Sequence, residues 1–149
     1  MPGFNTYSSL RLQNFRSYTD FAVELSGGVN IVVGPNASGK TNLLESVMII
    51  SGFNSYRTTN QNLIMNNKDW FRIDADYGDK KRIVKVKTEP KQEKIFEINN
   101  KQIKRISFND IVPVVLFEPN HMQLFTGSPE IRRNYLDGIL SKTDMEYAT

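Results

Sequence analysis

Gly34-Pro35-Asn36-Ala37-Ser38-Gly39-Lys40-Thr41 has the spacing of a phosphate-cradling loop, G-x-x-x-x-G-K-[ST]. Glycines at 34 and 39 permit torsions that a side chain forbids, so successive N–H groups can converge on phosphate oxygens. A helix opening near Gly39 would add unpaired N–H donors and the positive end of its dipole. Lys40 suits the β- and γ-phosphates as a point charge on a long stem. Thr41 suits Mg²⁺ through its hydroxyl. The competing reading is a glycine-rich turn that merely joins a strand to a helix. The expected chemistry is binding of a nucleoside triphosphate with its magnesium ion.

Such a loop must leave a strand and open a helix. Val29 to Val33 reads as a strand buried on both faces, and Leu43, Leu44, Val47 and Met48 recur at helical spacing. Upstream, Leu10 and Leu12, then Phe21, Val23 and Leu25, alternate with period two before Gly27-Gly28 turns the chain. Ser51 to Asn62 is polar and reads as a loop. Phe71, Ile73, Ala75 and Tyr77 alternate again, Gly78-Asp79 turns into Arg82 to Thr88, and Lys94 to Ile98 meets a turn at Asn99-Asn100. Val112 to Phe117 predicts a second buried strand. Ser128 as cap, Pro129 in the first turn and Glu130 against the dipole predict a final helix, with Ile131, Tyr135, Leu136, Ile139 and Leu140 on its apolar face. The expectation is a single α/β domain of P-loop NTPase type with a mixed sheet. Its core covers residues 7–65 and 111–149, and a small antiparallel β insert occupies about 69–106.

The absence of cysteine excludes a disulfide framework and thiolate metal sites. No apolar stretch reaches membrane-spanning length and the first residues lack a leader pattern, so a cytoplasmic location without a membrane partner is expected. The net charge of +3 conceals an uneven distribution: residues 80–105 hold ten basic side chains against three acidic ones, leaving −4 for the remainder. Lys80, Lys81, Arg82, Lys85 and Lys87 are therefore candidates for sequence-independent contacts to a DNA backbone. A solvated sheet face is the alternative.

Asn14-Phe15-Arg16-Ser17-Tyr18, the run GPNASGKTNLLE from Gly34 to Glu45, Phe117-Glu118-Pro119, and Gly127-Ser128-Pro129-Glu130-Ile131-Arg132-Arg133-Asn134-Tyr135-Leu136-Asp137 together resemble the N-terminal half of the RecF family. That family comprises bacterial DNA replication and repair ATPases whose heads are similar to those of SMC and other ABC-type chromosome ATPases. The resemblance implies ATP as the nucleotide, nucleotide-dependent homodimerisation, and DNA and recombination mediator proteins as partners, in recombinational repair and the SOS response. It implies that Gly34 to Thr41 bind the nucleotide and that Arg16 contacts it near the phosphates. Arg57 matches a family position in the loop after the first helix, where a DNA or nucleotide contact and a structural ion pair are both open.

In the family a helical lobe, a signature motif and an acidic Walker B strand follow this region. These 149 residues are therefore expected to act as an incomplete ATPase lobe. A stand-alone nucleotide-dependent DNA-binding module without catalysis is the alternative. Val114 to Glu118 is the one apolar run ending in an acid that could imitate a Walker B strand, which makes Glu118 a catalytic candidate, but the family places this segment at its Q-loop. Leu25-Ser26-Gly27-Gly28 spells the start of a signature motif, yet its position upstream of the phosphate loop makes a turn the better reading. Ser141 to Asp144 echoes a guanine-reading motif without its companion D-x-x-G. His121 reads as a solvated loop residue.

Overall fold

The computed structural model describes residues 5–118 and 127–143. His121, Pro119 and Asp144 lie outside them. The chain divides into two compact units, Met1–Val114 and Val115–Thr149.

In the first unit the elements are β1 (Tyr7–Phe15), β2 (Tyr18–Glu24), α1 (Lys40–Ile50), β3 (Trp70–Tyr77), β4 (Lys80–Lys87), β5 (Glu93–Ile98) and β6 (Lys101–Ile103). The strands form one sheet in the order β2-β1-β3-β4-β5-β6, antiparallel at every pairing. The period-two pattern explains the register. Leu10 faces Val23 and Ala75, Leu12 faces Phe21 and Ile73, Ile73 faces Val84, and Val84 faces Phe96. These residues share one face because successive side chains alternate sides of a strand. On it sit Leu43, Ile49 and Ile50 of α1, with Leu63 and the edge-on pair Phe15–Phe71 at 5.2 Å. Phe71 is in the core, while its neighbour Trp70 points to the other face and is 39% exposed.

The antiparallel strands expected at about 69–106 form as β3 to β6, and because β1 pairs with β3 they continue the sheet begun by β1 and β2. The turns between its strands follow expectation: Asn99 and Asn100 both take positive φ (49° and 64°), as a tight hairpin demands, and Gly78 does the same at 59°.

Two expected strands are absent. Val29 to Val33 is irregular and open to solvent, with Val29 87% and Ile31 81% exposed. An apolar run becomes a strand only where a neighbour completes its ladder, and both edges of β1 are already occupied by β2 and β3. Val112 to Phe117 is likewise irregular: Val112 is buried and its N–H reaches the Ser51 carbonyl at 3.0 Å, whereas Val115 is exposed. The segment Leu25 to Gly28 does turn, as expected. The Asn30 side chain accepts from Ser26 N at 2.9 Å and donates to the Ser26 carbonyl at 3.0 Å.

The second unit contains helix α2 (Pro129–Thr143). It starts as its sequence predicts: the Ile131 N–H reaches the Ser128 carbonyl at 3.2 Å, Pro129 opens the first turn and Glu130 faces the dipole.

Candidate nucleotide site

The loop from Gly34 to Gly39 has the torsions its glycines allow and is braced on one side. Ala37 and Gly39 take positive φ, 63° and 97°, and Ser38 N–H donates to the Pro35 carbonyl at 3.3 Å. A Cβ at Gly34 would meet Ser38 Oγ at 2.9 Å. One at Gly39 would meet Ser17 Oγ at 2.9 Å and the Tyr18 hydroxyl at 3.1 Å, so only glycine fits there. The brace is the tight turn between β1 and β2. The Tyr18 hydroxyl donates to the Gly39 carbonyl at 3.2 Å, and Asn42 Nδ2 donates to Ser17 Oγ at 3.2 Å. Burial pushes the Tyr18 phenol up from its ordinary value, which keeps it a protonated donor.

At the start of α1 no side chain caps the helix and its first turn holds no acid, so the backbone donors and the dipole are left for an outside anion. Thr41 is exposed in that first turn. Lys40 Nζ donates to the carbonyls of Gly34 (2.7 Å) and Pro35 (2.6 Å), folded back over the loop it belongs to. The residues expected at the loop are thus brought together. This cradle suits a polyphosphate: glycines where any Cβ would intrude, unclaimed donors, and a lysine held at the rim.

Arg16 is held by α1 and the loop that follows it. Its Nε and Nη2 donate to the two carboxylate oxygens of Glu45, each at 3.0 Å, and its Nη1 to the Asn62 carbonyl at 3.0 Å. Glu45 is completely buried in α1 and is the residue that sequence reasoning missed. It also accepts from the Ser55 hydroxyl and sits 3.8 Å from Arg57 Nη1. Ser55 Oγ in turn accepts the N–H groups of Arg57 (3.0 Å) and Thr58 (3.1 Å), which shapes the loop after α1. Arg57 thus has an ion pair, and Asn42 Oδ1 accepts from its Nη1 at 3.3 Å. The sequence signal was a glutamate among the buried positions of α1.

Two of the ten basic side chains of the segment are paired by the fold itself. Lys85 pairs with Glu97 at 3.9 Å and Lys87 with Glu93 at 3.0 Å across the β4–β5 ladder. Arg82 is not a surface cation, which corrects its candidacy for DNA. It lies on the core face opposite Ala75, 3% exposed, and donates to the carbonyls of Ile50 (3.1 Å) and Asp110 (2.8 Å), closing the C-terminal end of α1. Lys94, also on the core face, lies 5.0 Å over the Phe96 ring and donates to Asn54 Oδ1 at 3.3 Å. Burial lowers its pKa. Lys81 is exposed and Lys80 partly so. Lys101, Lys104 and Arg105, at and just beyond the edge strand β6, are exposed and take part in no salt bridge among the described residues. Glu118 belongs to the second unit, is partly exposed, and no strand forms over Val114 to Glu118.

The sequence profile of the AAA domain family matches residues 9–135. A DNA replication and repair protein RecF from Heliobacterium modesticaldum is 33% identical over 143 residues, covering 93% of this chain and 38% of that protein. Its counterpart in Staphylococcus aureus is 32% identical over 145 residues, covering 94% and 39%. The chain therefore spans about two fifths of the length of these relatives. Among solved structures, the recombination mediator protein RecF-ATP of the RecFOR pathway superimposes with a TM-score of 0.79 at 26% identity, over 97% of this chain and 40% of that one. An SMC ATPase studied for ATP-driven dimerization and DNA-stimulated activation superimposes with a TM-score of 0.68 over 89% of this chain and 98% of its own, and at 19% identity it speaks to the fold alone. Loop, helix and antiparallel sheet thus agree with sequence and superposition: the chain belongs to the AAA domain family and has the N-terminal lobe of the RecF type.

Proposed function

We propose that this chain binds Mg-ATP at the loop Gly34 to Thr41, as the nucleotide-binding lobe of a DNA replication and repair protein. The observation that carries the reading is the braced, uncapped start of α1 with Lys40 at its rim. In this reading Lys40 exchanges its two carbonyl partners for phosphate oxygens, Thr41 supplies a hydroxyl ligand to Mg²⁺, and the backbone donors of the first turn hold the phosphates. The metal, when bound, neutralises phosphate charge. Calorimetric titration of the purified chain with Mg-ATP tests this, with a Lys40 variant as the reference.

DNA is the proposed macromolecular partner, with ATP-dependent pairing of two copies, recombination mediator proteins, a cytoplasmic location, and roles in recombination and the SOS response completing the RecF-type assignment. No helix among the described residues is long and apolar enough to cross a membrane. Among the described residues of the basic segment, Lys80, Lys81, Lys91, Lys101, Lys104 and Arg105 are in no salt bridge and suit a phosphate backbone better than the paired Lys85 and Lys87. Reversing Lys101, Lys104 and Arg105 together to Glu is expected to weaken duplex binding about tenfold or more at low salt and to flatten its salt dependence. Reversing Lys85 and Lys87 should do less. Equal effects of the two sets in an anisotropy titration would return the site to the strand faces.

A further inference from the structure

Two residues in the left-handed region flank Phe15 at the end of β1, with φ of 50° at Asn14 and 53° at Arg16. Asparagine tolerates that region, whereas arginine enters it at a cost. Neighbouring chain holds the conformation in place. The Arg16 N–H donates to the Leu63 carbonyl and the Met65 N–H to the Asn14 carbonyl, each at 2.8 Å, on either side of the bridge between Phe15 and Ile64. The turn that follows is therefore fixed, and its side chains press on the phosphate loop. A Cβ at Gly39 would meet Ser17 Oγ at 2.9 Å and Tyr18 Cζ at 3.2 Å.

The Gly39 carbonyl accepts twice, from the Leu43 N–H of its own helix at 3.0 Å and from the Tyr18 hydroxyl at 3.2 Å. The C=O of Gly39 and the N–H of Lys40 belong to one trans peptide, so they point in opposite directions. Two donors on the oxygen fix the plane of that peptide. With the carbonyl turned along α1, the Lys40 N–H is aimed out of the uncapped helix start. A donor on the oxygen also polarises the peptide and strengthens its N–H.

We propose that Tyr18 is a positioning residue of the nucleotide site: its hydroxyl, bonded to the Gly39 carbonyl, sets the peptide whose Lys40 N–H holds a phosphate. The backbone donors of such a loop serve the inner phosphates, which nucleoside diphosphates and triphosphates both carry. Tyr18 therefore contributes equally to the two. This role rests on the nucleotide reading of the phosphate loop.

The test is calorimetric titration of Mg-ATPγS and of Mg-ADP into the wild-type chain, Tyr18→Phe, Tyr7→Phe and Lys40→Ala. Tyr7→Phe is the structural comparison, because it removes a tyrosine hydroxyl bonded to Ser51 at 2.8 Å, at the opposite end of α1. Tyr18→Phe is expected to lose about fivefold in affinity for both nucleotides, and Tyr7→Phe to stay within about twofold of wild type. The Lys40 amide proton, followed by NMR, should move downfield on binding of Mg-ADP and move less in Tyr18→Phe. Unchanged affinity in Tyr18→Phe, an equal loss in Tyr7→Phe, a loss confined to the triphosphate, or an amide shift identical to wild type would overturn the proposal. Should Tyr18→Phe lose its cooperative melting, a fluorinated tyrosine whose phenol titrates near neutrality takes its place at position 18. Its affinity should fall as the phenol ionises and the donor is lost, over a range where the wild-type chain is flat; a flat profile in both counts against the role. A wild-type chain that binds neither nucleotide, and is matched by Lys40→Ala, overturns the nucleotide reading and this inference with it. A wild-type chain that binds both, and is matched by Tyr18→Phe, overturns this inference alone.

Discussion

Lys40→Ala is expected to weaken Mg-ATP binding by about 3 kcal/mol, roughly a hundredfold in Kd, with little change in folding. The ammonium is held at 2.7 and 2.6 Å from the carbonyls of Gly34 and Pro35, in a loop whose residues from 34 to 38 are all exposed. Water replaces those two bonds readily when the side chain is removed, so stability should change by less than about 0.5 kcal/mol. Nothing replaces its charge against a phosphate. Paired calorimetry and thermal melting separate the two effects. A variant that melts normally and binds Mg-ATP as well as wild type would mean that the nucleotide site lies elsewhere.

Arg16→Ala is expected to produce the larger loss of stability, about 3–5 kcal/mol, because it strands a buried carboxylate. Glu45 is fully buried, and Arg16 supplies both of its guanidinium hydrogen bonds, leaving only the Ser55 hydroxyl besides. Arg57 is poorly placed to substitute at 3.8 Å. For a chain of this length the change corresponds to a fall in Tm of about 10 °C. Adding Glu45→Gln to Arg16→Ala should recover part of the loss, since the stranded charge is then gone. A fall of less than about 1 kcal/mol, or no recovery in the double variant, would show that the carboxylate is satisfied by other means.

The phosphate loop was legible because its chemistry is local: eight consecutive residues fix torsions, donors and charge together. The strands β1 to β5 were legible for a similar reason, since Leu10-x-Leu12 or Phe71-x-Ile73-x-Ala75 states which face is buried without reference to the rest of the chain. Val29 to Val33 was misread because hydrophobicity says that a segment seeks burial, not that a ladder partner is present. Arg82 and Glu45 failed differently. Both are charged residues at positions whose periodicity is that of the core, Arg82 in step with Val84 and Val86, and Glu45 among the buried positions of α1. For Arg82 charge suggested the surface, while the period pointed inward and proved right. Their partners come from Ile50, Asp110, Arg16 and Ser55, which are distant in sequence, so no window along the chain would display the pairing. The basic excess at residues 80–105 was real, but cross-strand register, invisible in a sum of charges, set Lys85 and Lys87 against Glu97 and Glu93.

The open run Val29-Asn30-Ile31-Val32-Val33 bears on how the protein must be handled. It is uncharged, free of proline and rich in β-branched residues, the composition that favours strand-to-strand association between molecules. Association of the purified chain is therefore expected to rise with its concentration. A single charged gatekeeper, such as Val33→Lys or Ile31→Asp, is the economical way to limit it, and Ile31 is preferable because it stands farther from the phosphate loop.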